Sequence, residues 1–246
     1  MGNGREGANL LEMKITMIHG QNHKGSTYHI GRMLAETLEP EANITEFFLP
    51  RDLNHFCLGC YTCIEDEEKC PFFEEKKCIA DAMEQADLLI FTTPNYCMAP
   101  SAPLKAFIDL FYQYWIPHRP RKCMFSKKAV VISTTAGMGA GQAIKTVKRT
   151  LAYWGVPCIK TYGVAVQASC WAEVKAEKKE KIKKDMVRLA GKLRRTSCGK
   201  PSPYIRFLFH MMALSRKNQV GDVPAETGYW RDNGWLNGRV PWKDNA

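Results

Sequence analysis

Short apolar runs alternate with stretches of helical spacing along the first two thirds of this chain. Lys14–His19, Ile44–Leu49, Asp87–Thr93, Lys128–Thr135 and Cys158–Val166 are nearly continuous apolar or β-branched segments, as expected of strands covered on both faces. Amphipathic patterns between them predict helices over Ser26–Leu38, about Ser101–Trp115, about Gly141–Trp154 and within Glu173–Arg195. This alternation predicts an α/β fold: a parallel five-stranded sheet, doubly wound, between two helical layers. Residues 14–200 carry the domain, with a cysteine-rich insertion at 57–78. Residues 1–13 read as a tail. Residues 201–246 read as an extension with a helix near Pro203–Leu214 and a Trp- and Gly-rich end.

Composition changes this picture little. The chain has 246 residues, 45% hydrophobic and 24% charged, enough for one full core. No apolar run approaches the roughly 18 residues of a membrane span. The first residues lack the basic start and apolar run of a secretory signal, and position 6 lacks the hydroxyl residue of a myristoylation signal. Ten cysteines in such a setting predict a reducing, cytoplasmic compartment and thiol or metal chemistry. The net charge of +10 is concentrated in Glu173–Arg195, where ten cationic residues meet four acidic ones. Ile182, Met186, Leu189 and Leu193 fall at helical spacing there, so the charge reads as one wet helix face. No aromatic or glycine pattern accompanies it, and no nucleic-acid partner is expected.

Ligands of open α/β sheets sit beyond the carboxyl ends of the strands, and three loops meet that condition. The first, Gly20 to Thr27 (GQNHKGST), nearly spells a P-loop, but Ser26 stands where that motif needs lysine. Helix-terminal N–H groups with the Ser26 and Thr27 hydroxyls suit a single terminal phosphate. The same residues also suit a plain helix cap. The second loop, Thr93 to Pro100 (TPNYCMAP), is fixed by two prolines around an aromatic and two sulfur side chains, as a ring-binding face or a rigid turn. The third, Thr134 to Gly141 (TTAGMGAG), fails the G-x-G-x-x-G spacing, and no acidic residue follows before Trp171 to hold a ribose. A classical NAD Rossmann site is not expected on that ground; backbone approach to a ring edge fits better.

Together these loops resemble the flavodoxin-like NAD(P)H-dependent FMN reductase family over roughly Lys14 to Val166. The family's phosphate loop, approximately GSPRKGST, appears here with Gln21 and Asn22 in place of serine and proline. In its SPVYxGxxSAxLKAFID segment Pro94, Tyr96, Ser101 and Leu104–Asp109 match, while Thr93, Asn95 and Cys97–Pro100 depart. The resemblance implies flavodoxin-like topology with strand order 2-1-3-4-5 and bound FMN. The phosphate would lie on Gln21, Asn22, His23, Lys24, Gly25, Ser26 and Thr27, with the ring between Pro94, Asn95, Tyr96, Cys97 and Met98 on one side and Thr134, Thr135, Ala136 and Gly137 on the other. Backbone amides of Asn95–Met98 and Thr135–Gly137 are the expected donors to the ring. The implied activity passes hydride from NAD(P)H to flavin and then to an acceptor: a quinone, a nitro or azo compound, free flavin or an iron–sulfur centre. No residue of the chain is assigned a dedicated acid or base role. Nicotinamide and acceptor small molecules are the implied partners, with a homodimer and no membrane.

Cys57, Cys60, Cys63 and Cys70 form C-x2-C-x2-C-x6-C, spacing that lets a short loop present thiolates around one centre. It resembles the iron–sulfur flavoprotein branch of the family, which implies a [4Fe–4S] cluster. Zinc and a metal-free redox or structural loop remain alternatives. Cys97 is expected to touch flavin, while Cys123, Cys158, Cys170 and Cys198 read as buried or inert thiols. The six histidines show no metal-ligand spacing, and the Phe107, Phe111, Tyr112 and Trp115 stripe reads as core or subunit interface. Two other functions fit the motifs: an electron carrier without its own substrate, and a redox or metal sensor using Cys57–Cys70.

Overall fold

The computed structural model describes residues 12–218 and 223–243. The expected tail therefore falls outside them apart from its last two residues. Strands β1 (Ile15–His19), β2 (Ile44–Phe48), β3 (Leu88–Tyr96), β5 (Lys128–Thr135) and β6 (Cys158–Ala165) form a parallel sheet in the order β2-β1-β3-β5-β6. That is the expected 2-1-3-4-5 order. The intervening label belongs to β4 (Ala99–Pro100), two residues that fold back antiparallel on β3. The order reverses between β1 and β3, which opens a crevice beyond their carboxyl ends.

Alternation along the strands divides the core into two layers. Ile15 and Met17 of β1, Leu88 and Ile90 of β3 and Val130 and Ile132 of β5 face α1 (Ser26–Leu38) and α6 (Ala176–Arg195). Ile18, Leu89, Phe91, Ala129 and Val131 face α3 (Phe73–Gln85), α4 (Ala102–Leu110) and α5 (Ala140–Tyr153). Each such aliphatic side chain, once buried, stabilises the fold by about 1.5–3 kcal/mol, so the two-sided strands fix the layering. Within the aromatic stripe Phe107 and Phe111 are core, whereas Tyr112 and Trp115 are only half-buried.

Two elements depart from the sequence pattern. Helix α3 was not expected: among its thirteen residues Ile79, Met83 and the aliphatic stem of Lys76 make the buried face. The cysteine-rich segment thus ends inside a helix, and Cys78 is an exposed residue of it. The helix expected to reach Trp115 stops at Leu110 and continues as a single 3₁₀ turn, Tyr112–Tyr114.

The C-terminal extension builds a third apolar cluster. Helix α7 (Pro203–Lys217), α8 (Pro224–Asp232) and the 3₁₀ turn Trp235–Asn237 bury Ile205, Phe209, Trp230 and Trp235 against Ile116 and Phe125. Trp230 Nε1 donates to the His118 carbonyl at 2.6 Å and Tyr229 Oη to that of Pro120 at 2.8 Å. The extension thereby holds the 117–121 segment. No helix of the described residues is long and apolar enough to cross a membrane.

Candidate functional site

The crevice at the β1/β3 reversal is an open cleft of about 340 Å³. His23, Gly25, Ser26 and Thr27 of the first loop, Pro94, Asn95 and Tyr96 of the second and Thr134, Thr135 and Ala136 of the third all line it. Gln21, Asn22, Lys24, Cys97, Met98 and Gly137 belong to the same loops but lie outside the lining. A fourth wall, Val166, Ala168 and Ser169, follows β6 and was missed. The rule that selected the other loops, position after a strand's carboxyl end, applies to it equally. Another cavity, around Lys14, Thr45 and Ala82, lies at the amino end of the strands, the wrong end for a ligand in this architecture.

One end of the cleft is built for an anion. Helix α1 starts after Gly25, with no side-chain cap and no acidic residue in its first turn. Its first N–H groups therefore lack the usual side-chain acceptor, and the helix dipole adds positive potential. No carboxylate lines the cleft. In the first turn of α1, burial pushes the His29 imidazole below the usual value, and Lys24 and Lys179 push it further down.

The floor is held by hydrogen bonds between the loops. Gly20 N donates to the Thr92 carbonyl at 2.7 Å, and Ser101 Oγ donates to the Gly20 carbonyl at 2.6 Å. Ser101 N donates to Thr93 Oγ1 at 2.9 Å. A Cβ at Gly20 would meet Ser101 Oγ at 2.6 Å, so glycine is required here by close approach. Ser101 and Thr93 are fully buried, and sequence reasoning assigned neither a place in the site.

The flat end is shaped by the β3–β4 hairpin and the third loop. Cys97 and Met98 form its two-residue turn with φ of 49° and 62°, left-handed values that favour glycine. Asn95 Nδ2 donates to the Met138 carbonyl at 3.2 Å, and Thr135 Oγ1 donates to the same oxygen at 2.6 Å. The Asn95 Oδ1 atom is buried without a partner. A buried acceptor of this kind costs about 1–3 kcal/mol unless something donates to it.

Away from the cleft, Cys57, Cys60, Cys63 and Cys70 line one small cavity together with Leu58, Phe72, Asp109 and Leu110. All four are free thiols. Cys60 Sγ lies 3.2 Å from Thr62 Oγ1, and hydrogen bonding from Thr62 draws its thiol below the usual value. Burial pushes the Cys63 thiol up. Among the described residues, no three His, Cys, Asp or Glu side chains stand where they could hold a single metal ion. Arg119 donates to the Cys63 carbonyl and Arg121 pairs with Glu67, so this loop is tied to the 117–121 segment.

Comparison with known proteins agrees with this geometry. A profile of the NADPH-dependent FMN reductase family matches residues 13–169. An iron-sulfur flavoprotein of Methanocaldococcus jannaschii is 33% identical over 100 residues, 39% of this chain and 51% of that protein. One of Archaeoglobus fulgidus is 29% identical over 103 residues, 42% of this chain and 44% of the other. The chain thus spans about half the length of these relatives. The FMN complex of an FMN-dependent NADH-azoreductase from Bacillus anthracis superposes with a TM-score of 0.55 at 13% identity, over 72% of this chain and 99% of that one. The apo form of an NADH:FMN oxidoreductase gives 0.52 at 17% identity, over 78% and 97%. At such identities the structures establish a shared fold, and the profile, matching well over half the residues and all three strand-end loops, establishes the kinship: this chain belongs to the NADPH-dependent FMN reductase family.

Proposed function

We propose that the chain is an FMN-dependent oxidoreductase that takes electrons from NADH or NADPH and delivers them to a small-molecule acceptor. One observation carries the reading: a single cleft joins an uncapped helix N-terminus to the strand-end turns Pro94–Tyr96 and Thr134–Ala136. The first end suits one phosphate, and the second sets backbone on either side of a slot that suits the flat isoalloxazine.

The donor set fits FMN. Ser26 and Thr27 offer hydroxyls beside the α1 N–H groups, and the absence of a P-loop lysine at Ser26 suits a ligand ending in one phosphate. Pro94–Tyr96 and Thr134–Ala136 offer backbone on either side of the flat end. FMN, when bound, supplies reversible two-electron chemistry that can be discharged to a second substrate. The chain's part is placement: Ser101 and Thr93 hold the loops in register, and Asn95 orients the ring edge. Quinones and nitro or azo compounds are the acceptor classes in view.

Anaerobic mixing of the FMN-loaded protein with NADH and with NADPH tests the reading. Bleaching of the flavin band is expected with at least one donor; no bleaching with either would sink it. Riboflavin, which lacks the phosphate, should bind at least tenfold more weakly than FMN.

The shared cavity of four free thiols favours a second component, an iron–sulfur centre on Cys57, Cys60, Cys63 and Cys70. The similarity to two iron-sulfur flavoproteins supports it. Iron and sulfide analysis after anaerobic purification is the test. Protein that carries neither, while still bleaching with nicotinamide, leaves the flavin activity standing without the cluster.

A further inference from the structure

Helix α7 is apolar on both sides. Ile205 and Phe209 are buried in the C-terminal cluster, yet Tyr204, Phe207, Met211 and Leu214 on the opposite face are 59%, 62%, 44% and 54% exposed. Their spacing of three, four and three residues is the seam by which two helices interlock side by side. A contiguous exposed apolar stripe of this kind marks a contact surface. We propose that α7 pairs with α7 of a second copy of this chain, antiparallel across a two-fold axis.

The seam is self-complementary, as an isologous contact requires. Its aromatic residues lie in the first half and its flexible ones in the second. Antiparallel alignment sets Tyr204 against Leu214 and Phe207 against Met211 of the other copy, and opposes the two helix dipoles. The seam positions carry no charge. Arg216, on the buried side, is neutralised by Glu226 at 2.6 Å. Tyr204 is already oriented by a hydrogen bond to Tyr153, Oη to Oη at 2.9 Å.

Area sets the strength. Tyr and Phe offer about 200 Å² each, so with Met211 and Leu214 the exposed patch is on the order of 400 Å² per copy, at the size where patches on monomers are functional. Pairing would remove about 800 Å² from these four side chains, below the roughly 1,200 Å² of a standard interface. The pairing is therefore reversible and concentration-dependent. An anionic lipid surface fits less well, because it is recognised by clusters of about four to eight Lys or Arg, and the exposed face of α7 presents only Lys217 and His210.

Sedimentation velocity on a dilution series of the full chain tests this, comparing wild type with Phe207→Glu/Met211→Glu and, at the seam's far end, Leu214→Glu. Wild type is expected to shift toward twice the monomer mass as concentration rises, with both variants shifting at least tenfold higher in concentration. If another surface also assembles the chain, the variants should halve the mass of the complex. Unchanged melting and FMN binding in the variants separates this result from misfolding and from any failure of the flavin reading. The proposal is overturned by a wild type that stays monomeric throughout, by variants that assemble like wild type, or by monomers that use this face only to sediment with phosphatidylglycerol vesicles.

Discussion

Asn95 reaches across the cleft to Met138, its Nδ2 donating to the Met138 carbonyl oxygen that Thr135 Oγ1 also caps. This bond joins the two loops proposed to flank the ring, and it leaves Asn95 Oδ1 buried without a partner. Asn95→Ala is therefore expected to cost about 1 kcal/mol of stability and to weaken FMN binding about tenfold. Urea unfolding and quenching of FMN fluorescence measure the two effects. Unchanged affinity would remove Asn95 from the site.

The neighbouring contact is steric. A Cβ at Gly139 would fall 2.5 Å from Met98 Sδ and 2.7 Å from Asn95 Nδ2, and Gly139 has φ of 94°. Gly139→Ala must strain the backbone and push the hairpin away, so a loss of about 2 kcal/mol and a weaker FMN complex are expected. Met98 is the converse case. At φ of 62° a side chain costs about 1–2 kcal/mol relative to glycine, offset in part by glycine's greater entropy in the unfolded chain. Met98→Gly should leave stability level or raise it by up to about 1 kcal/mol. A clear drop in thermal melting would show that the Met98 contact over Gly139 outweighs the strain.

How far these features could be read in advance follows from their chemistry. The central strands β1, β3 and β5 were legible because burial on both faces demands unbroken apolar runs, the half-buried edge strands β2 and β6 because they are rich in β-branched and aromatic residues. The loops after three of the five identified most of the cleft lining. Helix α3 was not legible, because its buried face includes Lys76, a charged residue accommodated inside by donating its Nζ to the Leu110 carbonyl at 3.3 Å. The Ala168–Ser169 wall carries no glycine or proline signature. Asn95 was legible as a ring-loop residue through its backbone amide; its side-chain bond depends on Met138, which lies 43 residues away. Of the C-terminal tail, the Trp content was visible but not what it packs on, since Ile116 and Phe125 meet Trp230 and Trp235 only through long-range contacts.

The extension also gives the fold a pH dependence. Glu226 is 3% exposed; its Oε1 accepts from His118 Nδ1 at 2.8 Å and its Oε2 from Arg216 Nη2 at 2.6 Å. Burial alone would push this carboxyl up, but the bonds from His118 and Arg216 outweigh it and hold it below the usual carboxylate range. A carboxyl lowered on folding contributes stability that is present above its unfolded value, about 4.3, and disappears as pH falls through its folded value. Unfolding free energy should therefore drop on acidification below about pH 4.5, and Glu226→Gln should flatten that part of the profile. The substitution is expected to cost about 3 kcal/mol at pH 7, because it leaves Arg216 buried beside a neutral partner. Chemical denaturation across pH 3–7 gives both quantities; an acid limb identical in the variant would rule Glu226 out as its source.

The same network reaches the cysteine loop. Arg216 also donates to the Pro117 carbonyl, and Arg119, two residues on, donates to the Cys63 carbonyl. Accessibility and local hydrogen bonding then order the thiols of the metal-free protein. Cys60 is exposed and drawn toward the thiolate by Thr62, whereas burial holds Cys63 and Cys123 as thiols. Since the thiolate is the reacting form, iodoacetamide at pH 7.5 should modify Cys60 at least tenfold faster than Cys63 or Cys123, as followed by peptide mass spectrometry. Thr62→Val should slow Cys60 without changing Cys123. Arg119→Ala should speed Cys63 by releasing the carbonyl that anchors it, and if Cys63 reacts at the same rate in that variant, the loop is held by its own apolar packing and not by the 117–121 segment.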